Sequence, residues 1–380
     1  MDFEFSTEQE QLRDSMRRFL AERAPITPYV RDQIGGAPDA AAARAMRAGL
    51  VELGVTGLLI PEEHGGAGMT MVDMAVVIEE LGRAVFPGPF LSSAVVAASL
   101  IAKAGAPRDQ AFLLPGIASG ETVGTVALWE AGRRGNWARP AVTASATDDG
   151  WSVTGTKIQV PDGARADVVL VVAADPSVDG LGVFAVKTGG PNGSAPGVDV
   201  EPVTTVDLTR PVATITCTDA PAWRIGEGDA TAAIAATVDR WITALVLDGL
   251  GAAARALEIS VDYAKERRQF DQPIGAFQAV QHLCADMLRD VELGRAVAYY
   301  AAWADDGADA AERHRAATMA KAFASDGFYR VGASAVQVHG GIGFTWEHDI
   351  HLYYKRVLTL QESGGGTSDH LEELAAIALD

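Results

Sequence analysis

A chain of 380 residues is long enough for two or three domains, or for one large multilayer body with an ample core. Its formal net charge of −19 argues against binding to nucleic acid or to an anionic membrane surface, so an anionic ligand would need a local basic pocket. Its two cysteines, Cys217 and Cys284, cannot build a disulfide framework or a Cys-rich zinc site. We expect both to be core residues of a reduced protein.

The N-terminal third of the chain has the pattern of amphipathic helices. Ser6 and Gln9 form a capping box, and apolar residues recur behind them at helical spacing. A second amphipathic run, Ala40 to Leu53, ends at the stop signal Gly54. The acidic start lacks the features of a secretory signal, and a Pro-Gly-Pro segment at 87–89 interrupts the longest uncharged stretch. We therefore expect a cytoplasmic protein without a membrane span.

The middle of the chain changes in character. From about Gly120 to Ile225, short runs rich in Val and Thr are divided by Gly, Pro, Asp and Asn, which predicts a sandwich or barrel rather than βαβ units. Helical patterns return after Gly228, at about Ala230–Lys265, Ala276–Ala304, Ala310–Val338 and Asp369–Leu379.

The predicted fold class is therefore α+β and multidomain. We expect an N-terminal helical domain over 1–118, a middle β-barrel or β-sandwich domain over 119–226, and a C-terminal four-helix bundle over 227–380. Such boundaries carry errors of roughly two to four residues.

A basic cluster stands out in the segment YAKERRQFDQPIGAFQAVQH at 263–282. Lys265, Arg267 and Arg268 lie there, ahead of a Gln-Phe pair and a proline turn. A guanidinium presents a planar fork of donors that suits phosphate oxygens, so the cluster is a candidate anion site. The alternative is that these residues meet the negative end of a helix dipole and that Pro273 marks a turn.

Three segments resemble the acyl-CoA dehydrogenase family. They are the segment just quoted, ELGVTGLLIPEEHGGAGMTMVDMAVVIEELGRA at 52–84 and QVHGGIGFTWEHDIHLYYKR at 337–356, and the similarity covers nearly the whole chain. The resemblance implies an α–β–α fold, FAD at a subunit interface, and α,β-dehydrogenation of an acyl-CoA thioester to the 2-enoyl-CoA. It also implies an electron-transfer flavoprotein as electron acceptor, and a homo- or hetero-oligomer with a related acyl-CoA dehydrogenase chain.

The resemblance further implies which residues contact FAD. Arg267 would contact the pyrophosphate of FAD bound mainly to another subunit, with Gln269 and Phe270 beside it. Gln278 and the Gly-Gly loop, residues 337–341, would contact the rest of that dinucleotide. Paired glycines let backbone N–H groups approach a ligand without interference from Cβ. The loop residues are Gln337, Val338, His339, Gly340 and Gly341.

Two segments that the family places against its own flavin ring are altered here. One corresponds to Leu128 and Trp129 within LWEAGRRGNW at 128–137, where Glu130 and scattered glycines remain of the family pattern. The other corresponds to Gln159-Val160-Pro161.

The catalytic base is missing from both positions at which the family usually carries it. One position corresponds to Gly364 or Gly365 in QESGGGTSD, and the other, on the earlier long helix, to Trp241. Asp248 lies seven residues beyond Trp241, on nearly the same helix face but about 10 Å along the axis. Burial disfavours a charged carboxylate and would suit Asp248 to take a proton. The alternative is a structural Asp bonded to a neighbouring helix.

Three functions remain open from the sequence. The chain is an acyl-CoA dehydrogenase, or it is a non-catalytic subunit that completes FAD sites on a related catalytic chain, or it performs other flavin chemistry, as an oxygenase or oxidase. The family resemblance makes the first, alone or as one subunit of a heteromer, the leading prediction, and the missing base and the altered β region add weight to the second. We predict no metal site, because the histidines lack metal-ligand spacing and the pair His348 and His351 has no third partner.

Overall fold

The computed structural model describes residues 5–35, 39–132, 136–190 and 193–379. The chain divides into two compact units. The first unit comprises Met1–Asp39, Met71–Pro87 and Ile242–Asp380, and the second comprises Ala40–Thr70 and Gly88–Trp241.

The helices occupy both ends of the chain. Before the strands they are α1 (Thr7–Arg23), α2 (Arg31–Ile34), α3 (Ala40–Glu52), α4 (Met71–Arg83), α5 (Ala98–Ala104) and α6 (Pro107–Ala118). After the strands they are α7 (Thr231–Glu266), α8 (Gln278–Gly307), α9 (Ala310–His339), α10 (Ile350–Glu362) and α11 (Thr367–Leu379). The capping box of α1 is confirmed, because the Ser6 hydroxyl accepts from the Gln9 N–H and the Gln9 amide oxygen accepts from the Ser6 N–H.

The described strands of the second unit form one sheet that closes on itself. They are β1 (Gly124–Ala127), β2 (Thr143–Thr147), β3 (Gly150–Pro161), β4 (Val168–Asp175), β5 (Gly180–Lys187), β6 (Val198–Val203) and β7 (Val212–Ile225). The order is β1-β4-β2-β3-β7-β5, and β5 also pairs with β4, so the sheet is a barrel, with β6 added beside β7. The pairs β2–β3, β3–β7, β4–β5 and β5–β7 are antiparallel.

The barrel core lies in the second unit and consists of small and branched apolar residues around one phenylalanine. Phe184 is fully buried, and the Trp151 ring packs on it with a centroid distance of 5.1 Å. Val169 and Val171 on β4 and Ile215 on β7 belong to the same cluster. Residues two apart share one strand face, so the Val pair marks the inward side of β4.

The core of the first unit is a helical bundle in which glycines allow close helix packing. Phe328 on α9 is fully buried. A Cβ added at Gly294 on α8 would lie 2.3 Å from the Phe328 ring, and one at Gly249 on α7 would lie 2.3 Å from Leu360 on α10. The close packing of α7, α8, α9 and α10 therefore depends on glycines, which have no side chain, at the points where these helices cross.

The predicted fold class is confirmed, with two corrections in detail. The described part of the bundle has three long helices and two shorter ones, of which α10 over Ile350–Glu362 was not predicted from the sequence. Cys217 is buried as expected, but Cys284 is half-buried and lines a groove of about 560 Å³ between α7 and α8. The last helix before the barrel ends at Ala118, the first strand begins at Gly124, and helix α7 begins at Thr231. The domain boundaries themselves stay predictions.

Two kinds of feature are absent from the described residues. None of the described helices has the length and apolar character needed to cross a membrane. Likewise, no group of three or more His, Cys, Asp or Glu side chains in the described ranges is arranged to hold a metal ion.

Candidate active site

The basic cluster lies where α7 ends and a short hairpin begins. The hairpin pairs β8 (Arg268–Gln269) with β9 (Gln272–Pro273). Its connecting residues Phe270 (φ 51°) and Asp271 (φ 64°) are in the left-handed region that a tight hairpin turn requires. Arg267, just before β8, is exposed, and its guanidinium has no hydrogen-bond or ion-pair partner in the described part of the chain. That guanidinium is therefore available to an anion.

Phe270 projects into solvent from the hairpin that follows the basic cluster. Its side chain is 86% exposed, and its ring packs edge to face against Phe277 with a centroid distance of 6.0 Å. Gln269 is exposed in the hairpin, and Gln278 is exposed at the start of α8. The Phe270 ring and the Arg267 guanidinium are thus both accessible from solvent.

The Gly-Gly loop continues from the C-terminus of α9. Gly340 has φ 63° and ψ −139°, a conformation that residues with side chains rarely adopt. A Cβ added at Gly340 or Gly341 would meet nothing within 4 Å, so the loop backbone is open to a ligand. Gln337 is exposed, whereas the side chains of Val338 and His339 are buried. A ligand in solvent would reach those two residues through their backbone.

Tyr263 joins the end of α7 to the Gly-Gly loop. It lies one helical turn before Arg267, whose N–H donates to the Tyr263 carbonyl at 2.8 Å. The Tyr263 ring stacks on the His339 ring, with centroids 4.5 Å apart and planes at 26°. Because His339 immediately precedes Gly340, the structure brings these two sequence motifs together.

These residues fit the edge of a dinucleotide. The guanidinium offers paired donors for phosphate oxygens, the open glycine backbone allows a close approach, and the exposed phenylalanine offers an apolar face. These are the residues that the family resemblance assigns to FAD held by a neighbouring subunit.

Two tryptophans of the second unit pack against each other at positions where the family resemblance places the flavin ring and the catalytic base. Trp129 follows β1 and Trp241 lies on α7, with ring centroids 5.8 Å apart. Trp241 is 8% exposed. Together with Leu128 and Pro161 they line the tryptophan cavity, whose volume is about 10 Å³. That volume is at the lower limit for one water molecule, so the two tryptophans leave little space between them.

A buried ion pair fixes the segment that carries Trp129. Lys157 Nζ donates to Glu130 Oε1 at 2.8 Å and to the Leu128 carbonyl at 3.2 Å. Glu130 also accepts from the N–H groups of Ala141 and Val142 at 2.7 and 3.1 Å. Burial opposes the charge on Glu130, but these donors outweigh it and lower the pKa of its carboxyl.

The second altered segment is divided between the surface and the tryptophan cavity. Gln159 is exposed with φ 51°, Val160 is buried opposite Ala213 on β7, and Pro161 lines the cavity. In the first altered segment, residues 133–135 lie outside the described residues.

Asp248 is bonded to a neighbouring helix. It is 3% exposed on α7, and Arg356 Nη1 on α10 donates to its two carboxylate oxygens at 2.9 and 3.0 Å. Arg356 Nη2 donates to the Phe86 carbonyl at 3.2 Å. This geometry is that of a structural Asp, the alternative given above, and the role of Asp248 as a base remains a prediction.

The other position at which the family usually carries its base corresponds here to Gly364 or Gly365. These two glycines form a turn that is held by hydrogen bonds to its carbonyls, the clamped glycine turn. Gly364 has φ 74° and Gly365 has φ 102°. The Gly364 carbonyl pairs with His370 Nε2 at 2.9 Å, and the Gly365 carbonyl accepts from Lys321 Nζ at 2.7 Å. A Cβ at Gly365 would lie 3.1 Å from His370 Nε2 in a strained backbone conformation, so this turn does not suit a Glu.

Sequence profiles identify both ends of the chain. The profile described as acyl-CoA dehydrogenase, N-terminal domain, matches residues 6–121, and the profile of the C-terminal domain matches residues 226–379. The chain belongs to the acyl-CoA dehydrogenase family. Acyl-CoA dehydrogenases are FAD-dependent oxidoreductases, so the recognised family and the enzyme type are confirmed.

Named relatives and structures agree with this assignment. The acyl-CoA dehydrogenase FadE34 of Mycobacterium tuberculosis is 34% identical over 363 residues, which cover 95% of this chain and 46% of FadE34. This chain thus spans about half the length of that relative. The acyl-CoA dehydrogenase IpdE2 of the same organism is 32% identical over 80% of this chain and 77% of IpdE2. The ChsE4–ChsE5 complex of M. tuberculosis has a TM-score of 0.87 and 29% identity, over 100% of this chain and 99% of that one.

Several residues that shape these acyl-CoA dehydrogenase motifs lie outside those predicted from the sequence. Tyr263 could have been found, because a residue four positions before Arg267 lies on the same helix face. Arg356 and Lys321 could not, because they reach Asp248 and Gly365 across 108 and 44 residues of sequence.

Proposed function

We propose that this chain is a subunit of an acyl-CoA dehydrogenase and that it completes the FAD site of a related catalytic chain. The observation that carries the proposal is the Trp129–Trp241 pair, because it closes the space where the family resemblance puts the flavin ring and the base of this chain. The available guanidinium of Arg267 and the open Gly-Gly loop are then left to serve a dinucleotide held mainly by the partner.

The reaction explains why a partner is needed. Dehydrogenation removes a proton from Cα and a hydride from Cβ of an acyl-CoA thioester, leaving the 2-enoyl-CoA. FAD, when bound, supplies the hydride acceptor. A carboxylate within hydrogen-bond reach of Cα must take the proton, and Gly364, Gly365 and Trp241 have none. We therefore assign the base to the related chain, and we assign acceptance of the electrons to a separate electron-transfer flavoprotein.

The residues of this chain bind and orient in the proposed assembly. Arg267 would hold the pyrophosphate through charge-assisted hydrogen bonds. Phe270 would cover an apolar part of the dinucleotide and exclude water from it, since its ring is already held by Phe277. The backbone at Gly341 would complete the contact, because the Gly340 N–H already donates to the carbonyls of Val336 and Gln337.

Two relatives support an assembly of unlike chains. ChsE4–ChsE5 is a complex whose structure is similar to this chain, and FadE34 is about twice as long as the region that this chain matches. A chain of that length has room for a second unit of the same size. We infer that related units work in pairs, whether on one chain or on two.

A complete dehydrogenase formed by this chain alone is the second candidate, because Asp248 is a buried carboxylate. It is less well supported, because proton uptake by Asp248 would weaken both hydrogen bonds from Arg356 and leave that guanidinium without its counter-charge. Other flavin chemistry, the third candidate, would be recognised by oxygen consumption during turnover.

The test is coexpression with a neighbouring homologous reading frame. Subunit and FAD stoichiometry would be measured, together with anaerobic bleaching of the flavin by straight-chain acyl-CoAs. We expect a complex of both chains that is bleached rapidly and a lone chain that is not. Rapid bleaching of the lone chain would overturn the partner requirement.

Arg267→Ala tests the contact with FAD in that complex, with Arg268→Ala as a control of equal charge change. Loss of a charge-assisted hydrogen bond removes about 1.5–3 kcal/mol of binding free energy, so we expect FAD affinity to fall at least about tenfold for Arg267→Ala. Arg268 instead donates to the Asp271 carbonyl at 2.6 Å within the hairpin. Equal losses in the two variants would show that the cluster acts only as a helix end.

A further inference from the structure

Three rings cluster at the Gly-Gly loop. His339 stacks on Tyr263, with centroids 4.5 Å apart, and its ring is tilted against that of His348, also at 4.5 Å. Tyr263 and His348 are themselves 6.2 Å apart and nearly perpendicular, so the three rings form a triangle. The cluster joins α7, the end of α9 and the segment before α10. It is therefore a contact that holds the Gly-Gly loop against the end of α7.

The hydrogen bonds of His339 define which of its nitrogens carries the proton. Its Nδ1 lies 2.7 Å from the Ala335 carbonyl, which can only accept, so Nδ1 is the donor. Its Nε2 is buried and has no hydrogen-bond partner in the described part of the chain. A neutral ring leaves a bare lone pair there. Protonation would instead bury an unpaired N–H donor and a charge, which is strongly unfavourable.

His348 is also held in a neutral form by its partner. Its Nδ1 accepts from the Ile350 N–H at 3.1 Å, one of the free N–H groups at the start of α10. Protonation of Nδ1 would put a donor against a donor and remove this contact. A positive charge on His348 would also face the His339 ring at 4.5 Å.

We propose that Tyr263, His339 and His348 form a positioning clasp that holds the Gly-Gly loop beside Arg267, and that the clasp is intact only while both imidazoles are neutral. The proposal rests on the proposed function in one respect: the ligand that the clasped loop receives is the FAD dinucleotide. Acidification would loosen the loop and speed the release of FAD.

The charged and titratable groups around the clasp favour neutral rings. Burial lowers the pKa of His339; the Ala335 carbonyl opposes this, and His348 adds to it. Burial also lowers the pKa of His348, with Asp349 opposing and Arg31 of α2 adding to the effect. Arg31 and Asp349 form an ion pair at 2.7 Å. From α7 the clasp is faced by Tyr263.

His351 of α10 lies next to this group and shares its behaviour. Burial, with Lys355 next and Arg31 after it, lowers the pKa of His351 to about 4. Both of its ring nitrogens are buried without a partner among the described residues. It therefore stays neutral through the pH range in which the clasp titrates.

The sign of the pH dependence follows from these directions. The pKa values of both clasp histidines are lower in the folded chain than the ordinary value near 6.5, so the unfolded chain binds more protons at mildly acidic pH. The contribution of the clasp is complete above about pH 6.5 and is lost as the pH falls through the folded pKa values.

The first assay measures FAD release from the native assembly by the fluorescence of free FAD between pH 7.5 and 5.5. We expect release to be at least about fivefold faster at the acidic end, since one proton or more must bind as the clasp opens. His339→Phe keeps a ring in the cluster but removes one of its two titrating imidazoles, so the acceleration of its FAD release over this range should be no more than about half that of the unmodified protein. His282→Gln removes an exposed histidine and should behave like the unmodified protein.

A second assay makes failure of the clasp distinguishable from failure of the proposed function. The thermal midpoint of the flavin-free chain would be followed over the same pH range for the unmodified chain and for both variants. If the assembly holds no FAD, the proposed function fails, and the thermal profiles alone decide on the clasp. A pH profile of His339→Phe that matches the unmodified protein in both assays overturns the clasp. Should His339→Phe not fold, His348→Asn replaces it, because its amide oxygen can accept from the Ile350 N–H.

Discussion

Arg356 on α10 and Asp248 on α7 form a buried ion pair in which one guanidinium nitrogen lies 2.9 and 3.0 Å from the two carboxylate oxygens. Both side chains are almost fully shielded from water. Removing one partner of such a pair leaves the other charge buried and unpaired. The structural role of Asp248 can therefore be measured separately from any role as a base.

We expect Asp248→Ala to lower the free energy of unfolding by about 3–5 kcal/mol, because the buried Arg356 would lose its ion pair with Asp248. Urea denaturation measures this. The double variant Asp248→Leu with Arg356→Met should recover most of the loss, since an apolar pair of similar volume removes both charges. A different result would assign the base to Asp248: the Asp248→Asn variant would keep the stability of the unmodified protein, but its flavin would no longer be bleached by acyl-CoA.

Local patterns were enough to predict most elements of the fold. The capping box of Ser6 and Gln9 and the Val- and Thr-rich strands depend on near neighbours in sequence, and the structure has both. Helix α10 was missed because His351, Tyr353 and Tyr354 make its first turns poor in strong helix formers, and its stability comes from packing on α9.

The candidate site could be predicted only where its residues lie close in sequence. The hairpin with Arg267 and the Gly-Gly loop were both recognised as motifs. The contact of Trp129 with Trp241 joins residues 112 positions apart, and no periodicity within either segment indicates it. Such contacts depend on how the chain folds back on itself, which the spacing of residues along one element does not specify.

Gly251 on α7 lies against the backbone of α4. A Cβ at this position would be 1.9 Å from the Glu79 carbonyl oxygen and 2.8 Å from the Arg83 nitrogen. We expect Gly251→Ala to lower the free energy of unfolding by more than about 3 kcal/mol, because backbone atoms cannot move aside as a side chain can. Gly307→Ala is the control, since its Cβ would meet Trp303 at an ordinary 3.4 Å. Equal chemical-denaturation midpoints for the two variants would contradict this close approach.

Trp241 is the residue that closes the tryptophan cavity, so its truncation should open that space. We expect Trp241→Ala to lower the free energy of unfolding by about 3–5 kcal/mol and to leave an apolar void beside Trp129. A small apolar probe such as benzene should then raise the thermal midpoint of the variant but not of the unmodified chain. Trp303→Ala removes a partly exposed tryptophan and should show neither effect. Benzene stabilisation of the unmodified chain would show that the cavity is already open.

Lys321 offers a test of the clamped glycine turn through pH. Its ammonium is fully buried and donates to the Ser325 hydroxyl and to the Gly365 carbonyl, each at 2.7 Å. Burial lowers its pKa to about 8, while Glu362, Asp369 and Asp326 oppose the shift. The ordinary pKa of a lysine is near 10.4, so between pH 8 and that value the unfolded chain binds more protons than the folded chain.

The free energy of unfolding should consequently rise by up to roughly 3 kcal/mol as the pH increases through this window, apart from the contributions of other groups. The burial penalty is complete below pH 8 and disappears above the unfolded pKa. Lys321→Met removes the titrating group, so its profile subtracted from that of the unmodified chain isolates this rise. A difference profile that is flat from pH 7.5 to 10.5 would mean that the ammonium is not buried against the glycine turn.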